Sequence, residues 1–207
     1  MKRFALVVAV ALVGCMKPKE GVARGAVVFE GCVACHGQNG EGRANLAAPA
    51  IAGLPAWYVQ AQLKKFKTGV RGAHPDDLEG LRMRPMSQQI WTDADGAAVA
   101  AHIASLPVQP SPATLKDADA AAGQGAYGVC LACHGPDGKG NEALKSPPIS
   151  QLPDWYVVSQ LKKFKSGVRG ANPADTTGAQ MLGMAKTLAD DQAIKNVAAH
   201  IATLAKR

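Results

Sequence analysis

The sequence predicts an all-α protein made of two tandem domains of one fold, on three grounds. Every special residue of the first half recurs 98 positions later without a gap, which is the mark of an internal repeat. Apolar side chains in each half fall at helical spacing, as at Tyr58, Gln62, Leu63 and Phe66, or Val99 and Ile103 with Val197 and Ile201, so each stretch has one face to bury. No segment alternates with period two, the pattern a half-buried strand requires.

Taken in order, the chain begins with Met1-Lys2-Arg3 and an apolar run of about ten residues, Phe4 to Val13. That run is too short to cross a bilayer as a stop-transfer helix and reads as an export signal over 1–14. Leu12-Val13-Gly14-Cys15 resembles a bacterial lipobox, which makes Cys15 the site of lipid attachment and 15–19 a short tether; the alternative is an ordinary residue near a signal-peptidase site. Acyl chains there would hold the protein on a membrane surface without a spanning helix. About five residues separate Cys15 from the first domain, which at ~3.3 Å per residue keeps that domain within about 17 Å of the anchor.

The first domain is expected over 20–106 and the second over 117–207. Between them, 107–116 carries Pro107, Pro110 and Pro112 and is expected to be extended and stiff. In each domain an opening helix, around Gly21 to Gly31 and Ala118 to Gly128, runs into a cysteine motif. A Gly-rich loop follows, His36 to Gly42 and His134 to Gly140, which will not hold regular structure. A middle helix starts after Pro55 or Pro153. A closing helix starts near Asp93 and Asp190, which serve as caps or first-turn acids.

The cysteine motifs carry the chemistry. Cys32-Val33-Ala34-Cys35-His36 and Cys130-Leu131-Ala132-Cys133-His134 both read C-x-x-C-H, in which two thiols add to porphyrin vinyl groups and the histidine ligates the iron. A structural zinc site would place its pairs some 15–20 residues apart; these lie 98 apart in separate domains. A thioredoxin-like dithiol would need a βαβ context and has no use for the adjacent histidine. The reading is two covalently bound haem c groups, with His36 and His134 on the irons. Four of the five cysteines are then haem thiols, and the fifth is Cys15.

The sixth iron position decides between ligand chemistry and electron transfer. Apart from Met1 and Met16, the methionines are Met83, Met86, Met181 and Met184, two M-x-x-M pairs at equivalent repeat positions, where gap-filling core methionines would be scattered. His102 and His200 also repeat and stand as alternative ligands. His74 pairs with Asn172 and cannot be a ligand common to both domains.

Opening helix, C-x-x-C-H, loop, middle helix, methionine loop and closing helix together resemble the class I cytochrome c fold. The tandem copies resemble the dihaem cytochrome c4 family in particular, over nearly all of 20–207. The lipobox is a departure from soluble c4 proteins. The resemblance implies that Met83 and Met181 are the axial ligands, lying seven residues before the apolar Ile90 and Leu188, with Met86 and Met184 as alternatives. It implies that the Pro49 and Pro147 carbonyls accept from the ligating imidazoles, and that His102 and His200 stand where this fold packs an aromatic on the opening helix. It implies haem propionate contacts for Trp57, Trp155, Arg71 and Arg169, whose alternatives are core packing and a solvated loop. Haem attachment outside the cytoplasm agrees with the export signal.

Removing Lys2 and Arg3 takes the formal charge from +7 to +5, and four propionates would offset most of it, so the basic balance does not argue for nucleic acid. Lys64, Lys65, Lys67, Lys162, Lys163 and Lys165 avoid the apolar stripe and read as a solvated face, or a docking patch for acidic partners. The expectation is a lipid-anchored carrier on the periplasmic side of a bacterial membrane, passing single electrons between redox proteins towards a terminal oxidase, with no small-molecule substrate. The alternatives are a dihaem enzyme of peroxidase or thiosulfate-oxidising type, which predicts asymmetry at the sixth ligand, or a fixed subunit of a respiratory complex.

Overall fold

The computed structural model describes residues 20–204, and eight α-helices lie in that span. The first domain contains α1 (Gly21–His36), α2 (Ala56–Lys67), α3 (Leu78–Gln88) and α4 (Asp93–Ser105). The second repeats them as α5 (Ala120–His134), α6 (Asp154–Ser166), α7 (Thr176–Lys186) and α8 (Asp191–Leu204). Among the described residues the only β features are isolated bridges, Arg43 with Ala48 and Asn141 with Ser146. No helix there is long and apolar enough to cross a membrane. The expected signal segment, Cys15 and the tether lie outside the described residues.

Each core forms where the opening and closing helices cross. Val99 and Ile103 pack with Phe29, Leu54 and Val59; Val197 and Ile201 pack with Tyr127, Val157 and Ile194. The crossings are close because Gly25 and Gly123 sit at them. A Cβ on Gly25 would lie 2.0 Å from the Ala98 carbonyl oxygen, and one on Gly123 would lie 2.0 Å from that of Asn196. The closing helices are capped as their sequences suggest: Thr92 accepts from Asp95 N at 3.0 Å with Asp93 in the first turn, and Asp190 accepts from Ala193 N at 2.8 Å.

Two expectations are corrected. The opening helices do not stop at Gly31 and Gly128; they continue through the cysteine motifs to the histidines, so one rigid element carries both thiols and the imidazole. The methionine segments are not loops but α3 and α7. Asp77 and Asp175 cap them, accepting from Gly80 N at 3.1 Å and Gly178 N at 2.9 Å.

Residues 107–115 have no regular structure, and their end is docked onto the second domain. The Asp154 carboxylate accepts from Thr114 N at 2.7 Å, Thr114 Oγ1 at 2.7 Å, Leu115 N at 3.0 Å and Trp155 N at 2.7 Å. Burial acts to raise the Asp154 pKa, and these donors outweigh it, leaving it below the ordinary carboxylate value. In the first repeat the position is Ala56, so the anchor belongs to the second copy alone.

Gly123→Ala is expected to destabilise the second domain. The helix propensity gained is about 1 kcal/mol, while overpacking against a backbone carbonyl costs roughly 1–3 kcal/mol; thermal unfolding of the variant measures the balance. Asp154→Ala is expected to cost about 1.5–3 kcal/mol at neutral pH, the value of hydrogen bonds to a charged group. Because the folded pKa is depressed, that stabilisation is present above the unfolded value near ~4 and is lost as the pH falls through the folded value. Denaturant midpoints of wild type and variant should converge on acidification.

Candidate haem sites

Helix α1 ends at His36 and α5 at His134, and the chain folds back under each imidazole. His36 Nδ1 donates to the Pro49 carbonyl at 2.9 Å, and His134 Nδ1 to the Pro147 carbonyl at 2.9 Å. The two residues are only 6% and 5% exposed. Burial lowers both pKa values, against the opposing effect of the proline carbonyls, so the imidazoles are neutral and Nε2 presents its lone pair. The Gly-rich loops make this return possible. Gly42 N donates to His36 O at 2.7 Å and Gly140 N to His134 O at 2.9 Å. Both glycines have positive φ, +81° and +78°, and lie against the proline segments, where a Cβ would be 2.5 Å from the carbonyl carbon of Pro49 or Pro147.

On the same helices Cys32 and Cys130 stand one turn before the histidines and are half-buried, Cys35 and Cys133 immediately precede them and are exposed, and no disulfide joins them. Burial, helped by the neighbouring thiol, pushes Cys32 up to about 11 and Cys130 in the same direction. Thiols held protonated are not poised as the thiolates of an exchange dithiol.

In the second domain these groups face a cavity of about 390 Å³, lined by Cys130, His134, Pro147, Met181, Met184, Leu188 and Ile201. The first domain also contributes to its wall, through Trp57, Tyr58, Ala61, Gln62 and Lys65 of α2. Trp57 therefore serves the opposite domain's cavity, with Lys145 over its ring at 5.5 Å. Met83 and Met181 are half-buried, whereas Met86 and Met184 are 37% and 41% exposed. His102 and His200 pack on the aromatics of the opening helices, 5.1 Å from Phe29 and 5.3 Å from Tyr127, and His200 is not among the residues that line the cavity. His74 lies in an exposed loop, where it accepts from Asp76 N.

Sequence reasoning missed the interface. Arg71 and Arg169 are not in solvated loops; they are 8% and 9% exposed and meet between the domains. Arg71 donates to Gln62 at 2.8 Å, Tyr156 OH at 3.0 Å and Gln160 at 3.0 Å. Arg169 donates to Gln160 at 2.7 Å and Gln62 at 3.1 Å. Each guanidinium also stacks on its own domain's Phe66 or Phe164 at 4.4 Å. Burial and the neighbouring Arg71 lower the Arg169 pKa. Burial acts to raise the Tyr156 phenol, but the two guanidiniums hold it below its ordinary value. The network has no carboxylate, and the buried Nε of both arginines has no partner. Two adjacent cations with spare donors suit the propionates of a porphyrin, and with paired thiols, a neutral imidazole and thioethers the donor set fits haem.

The cytochrome c domain family matches residues 22–107 and again 120–205. The chain belongs to the cytochrome c family. It is 30% identical over 187 residues to a thiosulfate dehydrogenase electron acceptor of Stutzerimonas stutzeri, covering 85% of this chain and 80% of that one. It is 29% identical to a cytochrome c4 of Thiocapsa roseopersicina, over 84% of this chain and 86% of that one. Among solved structures, a thiosulfate dehydrogenase from Marichromatium purpuratum superposes with a TM-score of 0.70 at 30% identity, covering 87% of this chain and 39% of that one. The chain thus spans about two-fifths of the length of that enzyme. As a two-domain cytochrome c related to cytochrome c4, this protein is an electron-transfer protein with two covalently bound haem c groups.

Replacing Cys32 and Cys35 together by serine is expected to halve the haem-to-chain ratio, read from the pyridine haemochrome spectrum against protein concentration. The second domain should keep its haem, since none of its cysteine–histidine motif is touched.

Proposed function

We propose that this cytochrome is a membrane-tethered carrier that takes up single electrons outside the cytoplasm and passes them towards a terminal oxidase or a comparable acceptor. The observation that carries this reading is the equivalence of the two sites. Each has an imidazole held to a proline carbonyl at 2.9 Å and a half-buried methionine at the same place in the repeat. When bound, haem supplies a one-electron couple between ferrous and ferric iron.

The chain's own residues hold that couple in a fixed shell. Cys32, Cys35, Cys130 and Cys133 tether it, and His36 and His134 ligate through Nε2, their orientation set by Pro49 and Pro147. Met83 and Met181 would supply the thioethers of the sixth positions; that they are half-buried while Met86 and Met184 are exposed supports that choice. Methionine ligation raises the potential, which suits donation to an oxidase. Arg71 and Arg169 would neutralise propionates at the interface, and Trp57 on α2 and Trp155 on α6 would be further propionate contacts. Lipidation at Cys15 keeps the carrier on the periplasmic face of the membrane.

The relative named as an electron acceptor of a thiosulfate dehydrogenase supports a donor of that kind, a dehydrogenase acting on a sulfur compound. An enzyme, the other reading, calls for one open or unusual iron site. The two donor sets here are alike.

Two measurements test the proposal. The oxidised protein should show the weak long-wavelength band of methionine-to-ferric-iron ligation, and Met83→Ala and Met181→Ala should each remove half of it. Thiosulfate alone should leave the purified protein oxidised, and thiosulfate with a thiosulfate dehydrogenase should reduce it. Reduction by thiosulfate alone would make it an enzyme.

A further inference from the structure

By sequence the lysines of the middle helices read as a solvated face or a docking patch, and the structure places two of them across the domain interface. Lys163, on α6, donates to Asp77 Oδ1 at 2.5 Å and also to Glu79, with its side chain 12% exposed. Asp77 is the N-cap of α3, and the same Oδ1 accepts from Gly80 N. The arrangement recurs with the domains exchanged. Lys65, on α2, donates to Asp175 Oδ1 at 2.5 Å and Thr177 Oγ1 at 2.6 Å, and that oxygen accepts from Gly178 N at the start of α7.

Asp77 and Asp175 are 3% and 1% exposed. A charge so buried has to be compensated, and in both cases a lysine of the other domain does so. The first turns leave little room to shift: a Cβ on Gly80 would lie 2.2 Å from Asp77 Oδ2, and one on Gly72 would lie 2.5 Å from Gly80 O. The cap therefore fixes where α3 begins, and Met83 follows six residues later, about 9 Å along a rigid helix. Asp175 stands in the same relation to Met181.

We propose that Lys163 and Lys65 are positioning residues acting in trans: each holds in place the methionine-bearing helix of the opposite domain. The axial geometry of each half then depends on the other half being docked. The proposal rests on Met83 and Met181 being the sixth ligands.

The test uses the holoprotein with Lys163→Met or Lys65→Met, substitutions that keep the apolar stem and remove the charge. Hydrogen exchange of the α3 amides should accelerate about ten- to a hundredfold in Lys163→Met, as expected for losing the charge-assisted hydrogen bond to the helix cap, with α7 unchanged. Lys65→Met should show the reverse. The core amides of α4 and α8 should stay protected, and Lys163→Arg should restore α3. In a Met181→Ala background, where the long-wavelength band reports Met83 alone, Lys163→Met should weaken the band; in a Met83→Ala background it should not. Glu79→Gln, a milder change that keeps the Asp77 pair, should give the same α3-only response at smaller amplitude, which covers the case of Lys163→Met not folding. Equal acceleration in α3 and α7, or none in α3, overturns the trans arrangement and leaves the ligands standing. A wild type without the band overturns the ligand assignment and this proposal together.

Discussion

The hydrogen bond from each imidazole Nδ1 to a proline carbonyl is the constraint around which either domain is arranged. For Pro49 and Pro147 to lie under the rings, the chain must reverse within thirteen residues of the histidine. That reversal needs Gly42 and Gly140, both at positive φ and with backbone where a Cβ would be. It also needs the histidine at the end of a long rigid helix, and α1 and α5 are rigid because they cross the closing helices at Gly25 and Gly123. An imidazole fixed by a backbone carbonyl does not depend on a mobile side chain, so the direction of its free nitrogen is set by the fold itself.

What was legible in the sequence was whatever depends on local chemistry. The thiols and histidines announced themselves by spacing, and Val99, Ile103, Val197 and Ile201 did so by helical periodicity. The methionine helices did not, because Leu78–Gln88 contains Gly80 and Pro85 and shows no continuous apolar stripe. Its buried residues are Gly80 and Ser87, neither of which marks an apolar face. Its cap was also obscure, since an aspartate before a leucine is common in loops.

The lysines failed for a different reason. On a helical wheel Lys65 and Lys163 look like any solvated residue, and their partners lie 110 and 86 positions away along the chain. Nothing local separates a surface cation from one that compensates a buried carboxylate in another domain. Arg71 and Arg169 were legible as special only through their place in the repeat, and their meeting in one network with Gln62, Gln160 and Tyr156 is a property of docking.

The charged contacts between the domains include two pairs related by exchange of the copies: Lys65 to Asp175 with Lys163 to Asp77, and Arg71 to Gln160 with Arg169 to Gln62. This is the grammar of a two-fold symmetric homodimer, in which one patch is complementary to itself. Joining two such copies in one polypeptide converts an association that would depend on concentration into an intramolecular one, with an effective concentration set by the connecting segment. It also frees the halves from being identical. A subunit of a true homodimer changes both sides of its interface with every substitution, whereas here Ala56 and Asp154 could diverge, one copy acquiring an anchor for the connector while the shared contacts stayed in place.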